Sequence, residues 1–355
     1  MVQPFAAPDL RYFTGSIVTV RALAASQQML TRSPALTSRA LTVTLPILAR
    51  PAPTAIFRSR VTLLPSVPSA VRVYVVSASG VTSTHRETYI LELFRLRQRR
   101  GVTLNEAEKL VNDRNVFGSM MVHMGDADAL VSGVTQHFPD TIRPALQIVR
   151  MREGLHRVSG CYVIITRKGD VFFLADTSVT IEPTAEELVE IALCTAHMAR
   201  RFDVIPRVAL LCFSSFGGVD HPISRKMRKA VELIKYADPT LIVDGEIMAD
   251  EALSPELIEE VYPFSSLKGA ANVLIFPDLA SANIACKLAA KVGGSELIGP
   301  ILMGMNRPVH VLQRSATVEG IVNVAAIAVV DAQENDTYTR PHVHVSVEPE
   351  LVGQD

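Results

Sequence analysis

From Val158 to Ala332 the chain repeats one pattern, in which a short apolar run is followed by a turn and then by an amphipathic stretch of helical period. The apolar runs are Val158–Thr166, Val171–Ala175, Val208–Phe213, Leu241–Val243, Asn272–Phe276 and Leu297–Met303. The helical stretches are Thr184–Arg200, Ser224–Tyr236, Ala249–Val261, Ala280–Val292 and Val318–Ala332. Strands buried on both faces read as continuous apolar runs, and strands separated by helices are joined by crossovers that keep them parallel. The pattern predicts an α/β chain with mostly parallel sheets and helices on both faces. The first two runs are an exception, because Lys168-Gly-Asp170 between them is a hairpin signal.

Upstream, Glu87–Arg100 reads as a helix with Ile90, Leu93, Phe94 and Arg97 near one face, stopped by Gly101. Thr103 and Glu106 form a capping-box pattern, since hydroxyl and carboxylate can each satisfy an orphan amide. A short apolar run follows at Ala129–Val134, and Pro144–Met151 reads as helix. The helix after Pro183 has acids in its first turn and Arg200-Arg201 in its last, as the helix dipole favours.

Charge divides the chain. Residues 1–86 hold nine Arg, no Lys, one acid (Asp9) and eight of the 21 Pro, giving +8 against −9 for the rest and −1 overall. Exposed helices normally need both signs, so this leader belongs to no assigned fold. Three readings stand. Arg- and Ser-rich, acid-poor stretches such as 21–30 and 33–41 have the composition of an organellar transit peptide. A misread frame or an upstream start in GC-rich DNA gives the same bias. A basic interaction arm is the third, although Pro51, Pro53, Pro65 and Pro68 interrupt any long helix and aromatics are sparse.

Several chemistries find no support. There is no Gly-x-Gly-x-x-Gly or Walker loop, no fixed-period repeat and no apolar run of bilayer length. Near-zero net charge gives no nucleic-acid footprint, so neither nucleic acid nor membrane is expected as a partner. Cys161, Cys194, Cys212 and Cys286 lie far apart without metal spacing and read as buried reduced thiols, favouring the cytoplasm, or an organelle matrix if the leader is a transit peptide. His342 and His344 lack a third ligand, so no metal is expected; residues 335–355 read as a tail. In parallel sheets ligands sit beyond the carboxyl ends of strands, which directs attention to 214–218, Asp244-Gly-Glu246, 277–279 and Gly304.

Six ordered strings carry a resemblance: 124–133, Ile142-Arg-Pro-Ala-Leu-Gln147, Asp244-Gly-Glu246, 271–279, Gly299-Pro-Ile-Leu302 and 320–327. Together they resemble the phosphate acetyl/butyryltransferase family, and above all the phosphotransacetylase-like domain at the C-terminus of bacterial NADP-dependent malic enzymes, from about Glu87 to Gln333. The resemblance implies two α/β domains, 87–155 with 304–334 and 156–303, a cleft for coenzyme A or acetyl-CoA, and a homodimer or larger homo-oligomer. Since 1–86 does not resemble the family's opening segment, the first domain would be incomplete. Arg97, Arg143 and Arg314 match the family's phosphate-side arginines, and Ser214, Ser215, Asn283 and Arg314 are carried over to the coenzyme side.

One stretch departs from the pattern. The family has Ser where this chain has Gln313, and an Asp base where it has Gly320; Glu319 is a neighbouring carboxylate turned about 100 degrees away on a helix. Losing a base and an oxyanion donor costs orders of magnitude in rate. The leading expectation is therefore a regulatory or oligomerising module that binds an acyl-CoA, with weak or no acyl transfer. An active phosphate acyltransferase and a module without ligand are the alternatives. Malate oxidation is not encoded, and the chain reads as a fragment of a larger malic enzyme or as a stand-alone paralogue.

Overall fold

The computed structural model describes residues 85–335 and, ahead of them, four strand segments. The stretches within 22–40, Pro51, Pro53, Pro65 and Pro68, His342 and His344 lie outside the described residues. The strands are β1 (Val18–Arg21), β2 (Leu41–Leu45), β3 (Arg58–Leu63), β4 (Val71–Val75), β5 (Ala129–Ser132), β6 (Ser159–Ile165), β7 (Val171–Ala175), β8 (Arg207–Leu211), β9 (Ile242–Ile247), β10 (Val273–Ile275), β11 (Glu296–Met303) and β12 (Val309–Val311). The helices are α1 (Arg86–Arg97), α2 (Leu104–Leu110), α3 (Arg114–Met124), α4 (Phe138–Ile148), α5 (Ala185–Arg201), α6 (Pro222–Ala237), α7 (Ala249–Ala252), α8 (Pro255–Val261), α9 (Leu279–Gly293) and α10 (Val318–Asn335).

Two six-stranded sheets result, ordered β1-β2-β3-β4-β5-β12 and β11-β6-β7-β10-β8-β9. In the first, β4, β5 and β12 are parallel neighbours and β1 to β4 are antiparallel. In the second, β7, β10, β8 and β9 form the parallel ladder while β6 pairs antiparallel with β7 and β11. Strand β4 lies within the segment read as leader, so structure belonging to the first sheet begins before Glu87.

Several boundaries differ from the sequence reading, each for a local reason. The helix expected at Pro144–Met151 is α4, which begins at Phe138 with Pro139 in its first turn, where a missing N–H costs nothing, and carries Pro144 inside. The expected helix Ala249–Val261 breaks at Leu253: Ser254 Oγ accepts the Leu257 N–H at 3.3 Å and Pro255 opens α8. Helix α3 was not foreseen, although Asp113 marks its start by accepting the Asn115 and Val116 N–H groups at 2.8 and 3.1 Å. Strand β9 runs on through Asp244-Gly-Glu246, which the sequence reading placed after the strand. Gly245 permits this at φ +134°, because a Cβ there would lie 2.6 Å from the Leu210 carbonyl oxygen. The expected capping box Thr103/Glu106 is formed, and Thr184/Glu187, read only for its first-turn acids, forms a second.

The chain crosses between the sheets twice, and the crossings lie side by side. Arg152 N–H donates to Gly304 O at 2.9 Å, Asn306 N–H donates to Arg150 O at 3.0 Å, and Met151 bridges Met305. Helix α10 packs on β4, β5 and β11, and so touches both sheets. A buried ionic contact fixes it there: Arg201 Nη1 of α5 lies 2.5 Å from Asp331 Oδ1 of α10, with side chains 9% and 8% exposed. His310 of β12 faces the second Asp331 oxygen at 3.3 Å, while its Nδ1 accepts the Leu302 N–H.

A second buried carboxylate organises the end of β7. Asp176, 3% exposed, accepts N–H groups from Gly160, Ser178, Val179 and Thr180 at 2.8–3.2 Å. Unpaired buried donors cost about 1–3 kcal/mol each, so Asp176→Ala is expected to lower unfolding stability by about 3 kcal/mol or more in urea denaturation, and Asp176→Asn by less.

Candidate functional site

The carboxyl ends of β5 and β12 meet. Leu312 N–H donates to Ser132 O at 2.6 Å, and Gly133, at φ +123°, lies so close that a Cβ would stand 2.3 Å from Leu312 O. Ser132 Oγ donates to the buried Asn115 side chain at 2.6 Å, and Asn115 Nδ2 donates to Gln136. The loop after β5 is thereby tied to α3 and to the loop after β12. Gln313 is half-buried there, Arg314 and Ser315 stand exposed in a turn, and Thr317 Oγ1 accepts the Gly320 N–H at 3.1 Å to cap α10. An exposed guanidinium beside a helix N-terminus is a place where oxyanions are held by charge and free amides together.

Gln313, Arg314, Glu319 and Gly320 are thus brought together. Glu319 is exposed in the first turn of α10. Burial, helped by the Glu319 charge, raises the pKa of Glu296 at the start of β11, while Asn323 Nδ2 donates to Glu296 at 3.0 Å and opposes the rise. At Gly320 an added Cβ would meet only Thr317 Oγ1, at an ordinary 3.4 Å, so the backbone leaves room for a side chain.

The other arginines stand apart. Arg97 ends α1, half-buried and without an ion pair among the described residues. Arg143 was expected at a helix start but sits within α4, 64% exposed and 3.6 Å from Asp140. Neither is bonded to the 312–317 loop among the described residues.

In the second sheet the candidate serines hold their own loop. Ser214 Oγ accepts the Val219 N–H at 2.9 Å; Ser215 Oγ accepts the Met248 N–H at 2.9 Å and donates to Glu251. Asn283 Nδ2 on α9 donates to Thr177 O at 3.2 Å, which sets it beside the loop after β7. Glu246, fully buried, accepts the Gly217 N–H at 2.8 Å and faces Arg228 at 3.1 Å. Sequence reasoning missed Lys226: its ammonium donates to Pro183 O and Pro277 O at 3.0 and 2.7 Å, at the carboxyl ends of the parallel ladder, and burial lowers its pKa. A lysine four residues into an amphipathic helix carries no signal of that reach.

Cys161 and Cys286 are buried and Cys194 and Cys212 half-buried, all free; burial raises the Cys286 thiol to about 12, so it is no nucleophile at neutral pH. Among the described residues no cluster of three or more His, Cys, Asp or Glu could hold a metal, and no helix is long and apolar enough to cross a membrane.

Residues 66–329 match the family described as phosphate acetyl/butaryl transferase. The chain belongs to that family. The phosphate acetyltransferase of Bacillus subtilis (strain 168) is 40% identical over 243 residues, which are 68% of this chain and 75% of that protein. The NADP-dependent malic enzyme of Escherichia coli (strain K12) is 42% identical over 248 residues, 69% of this chain but 32% of that protein. Among solved structures, a phosphotransacetylase from Streptococcus pyogenes superimposes with a TM-score of 0.67 at 36% identity, covering 72% of this chain and 77% of that one. The family match starts ahead of Glu87, the boundary read from charge, and includes β4.

Within this phosphate acetyl/butyryltransferase fold, Asp244 gives a testable pH response. Burial alone would raise its pKa, but the Ser266 N–H at 2.7 Å, Lys235 at 3.2 Å and the Ser265 hydroxyl at 3.0 Å outweigh that and hold it below the usual carboxylate value. A depressed folded-state pKa contributes stability above the unfolded pKa of about 3.9 that is lost as pH falls through the folded value. Urea midpoints between pH 6 and 2 should therefore fall with acid, and fall less steeply in Asp244→Asn.

Proposed function

We propose that this chain is a phosphate acyltransferase, which binds an acyl-coenzyme A and inorganic phosphate and transfers the acyl group between them. The observation that carries this is the docked 312–320 segment, where Arg314 stands in an exposed turn at the capped start of α10, in a chain about 40% identical to proteins named phosphate acetyltransferase. The two domains are taken as 87–155 with 304–334, to which β4 adds the strand beside β5, and 156–303, with the substrates between them. Arg314, Arg143 and Arg97 would hold phosphate and the developing oxyanion, because a fixed positive fork stabilises charge that grows in the transition state. Ser214, Ser215 and Asn283 support the coenzyme side by shaping the loops after β8 and β7 rather than by offering free hydroxyls.

Removal of the thiol proton is the weak step. Glycine at 320 cannot accept it, and Glu319, exposed in the first turn of α10, is one residue away from the position where the family has its base, near enough to Glu296 for its charge to raise that carboxyl's pKa. That favours a second reading, a module that binds acyl-CoA and hardly turns it over, in keeping with the likeness to part of a malic enzyme. A homodimer or larger assembly and a cytoplasmic site belong to either reading.

The discriminating variant is Gly320→Asp, for which there is steric room and for which the first helical turn favours a carboxylate. Thiol release from acetyl-CoA should be slow in the native chain and rise by about tenfold or more, since a placed base contributes about 10²–10⁴. Arg143→Ala should remove what activity there is. If neither form turns over while acetyl-CoA at a hundred times its Kd still adds about 2.7 kcal/mol of thermal stability, the binding-module reading holds.

A further inference from the structure

One side chain, Lys226, links the two helix layers of the second sheet at its carboxyl edge, and the proposed transfer leaves it without a task. Side chains alternate along the parallel strands. Phe173 of β7 and Val273 of β10 point to the core that holds Leu188 of α5 and Met227 of α6, whereas Leu174 and Leu274 point to the core that holds Ala282 and Cys286 of α9. Helices α5 and α6 therefore cover one face and α9 the other. Lys226, on α6, reaches past this division: its Nζ donates to Pro183 O at 3.0 Å and to Pro277 O at 2.7 Å. Pro183 stands immediately before Thr184, which caps α5, and Pro277 immediately before Asp278, which caps α9 by accepting the Ser281 N–H at 2.7 Å. A single ammonium thus holds the entry point of a helix on each face. Both acceptors are backbone carbonyls, so what it fixes is the position of the chain.

We propose that Lys226 is a positioning residue for the coenzyme side: it sets the Ser214-Ser215 loop against Asn283, and thereby the affinity for acyl-coenzyme A, without touching the ligand. This rests on the reading that the chain binds an acyl-coenzyme A. The loop after β8 runs into α6 at Pro222, and Ser214 Oγ closes that loop on the Val219 N–H. Asn283 lies in the early part of α9, where it donates to Thr177 O. Leu279 N–H donates to Ile181 O at 3.0 Å, so the start of α9 and the loop after β7 are one piece. Lys226 fastens that piece to α6 at Pro183 and Pro277. A hydrogen bond from a charged donor is the stronger kind, and a binding group is only as well placed as the groups that support it.

Lys226→Met keeps the apolar stem and loses the donors. In calorimetric titration of the full chain with acetyl-CoA it should raise Kd by about tenfold, the worth of a hydrogen bond from a charged group, and Lys226→Arg, which can donate to both carbonyls, should restore most of the affinity. Where turnover is measurable, KM for acetyl-CoA should rise while kcat and the KM for phosphate stay within about twofold, a split that general loss of structure does not produce. Hydrogen exchange identifies the route: amides in the first turns of α5 and α9 should exchange about tenfold faster in the Met variant and those of α10 at the native rate. If the Met variant does not fold, Lys226→Gln, shorter than lysine by one bond, is read in the same way. Unchanged affinity in the folded variant overturns the proposal and leaves the coenzyme reading standing, whereas a native chain that binds no acetyl-CoA takes down both. Weaker binding with native exchange in both helix starts makes Lys226 a direct contact and overturns the positioning role.

Discussion

The parallel pairing of β5 with β12 is the contact on which the candidate site depends. It sets Leu130 beside Val309 and Ser132 beside Val311, residues that the whole second sheet separates along the chain. The 312–320 part of the candidate site follows from the continuation of those two strands: the loops leave at the same edge, the Leu312 amide is spent on Ser132, and Gly133 makes room for the approach. A side chain at 133 would push the loop carrying Arg314 away from Ser132, which holds it through the Leu312 amide and is itself held by the buried Asn115. Three residues of strand are a small interface, and β12 is steadied further by His310 reaching Leu302 and Asp331.

Much of this was legible in the sequence because the signals were local. Thr103 and Glu106, three apart, mark a helix start through each other's orphan amides, and the strand runs of the parallel ladder are apolar on both faces because both faces are covered. The failures came where distant partners decide. Val309-His-Val311 is too short to announce a strand, and it becomes one only because β5 offers an edge. Asp244-Gly-Glu246 reads as a turn, yet its carboxylates are buried by Ser265, Ser266 and Arg228, so the strand continues through polar residues. Charge composition placed the boundary at Glu87, but β4 needs no acid to pair with β5. Of the candidate site, the segment 313–320 was visible through its likeness to a family, whereas the commitment of Ser214 and Ser215 to their own loop required coordinates.

The candidate site also shows how a helix start can be kept while the residue beside it changes. Thr317 still caps α10 through the very amide of residue 320, and the helix start is intact although the residue there carries no side chain. Backbone architecture and proton transfer are separable here because the cap belongs to the hydroxyl at 317 and the base, where one is present, to the position that the cap satisfies.

The paired crossings, Arg152 to Gly304 and Asn306 to Arg150, have a consequence for how the chain folds. The residues between them form one continuous segment whose two ends emerge at hydrogen-bond distance. Once that segment has folded, residues 85–150 and 305–335 are no longer the ends of a long flexible loop, because the entropy of bringing them together has already been met. Strands β5 and β12 then find each other as near neighbours, so the second sheet acts as the clamp on which the first is closed.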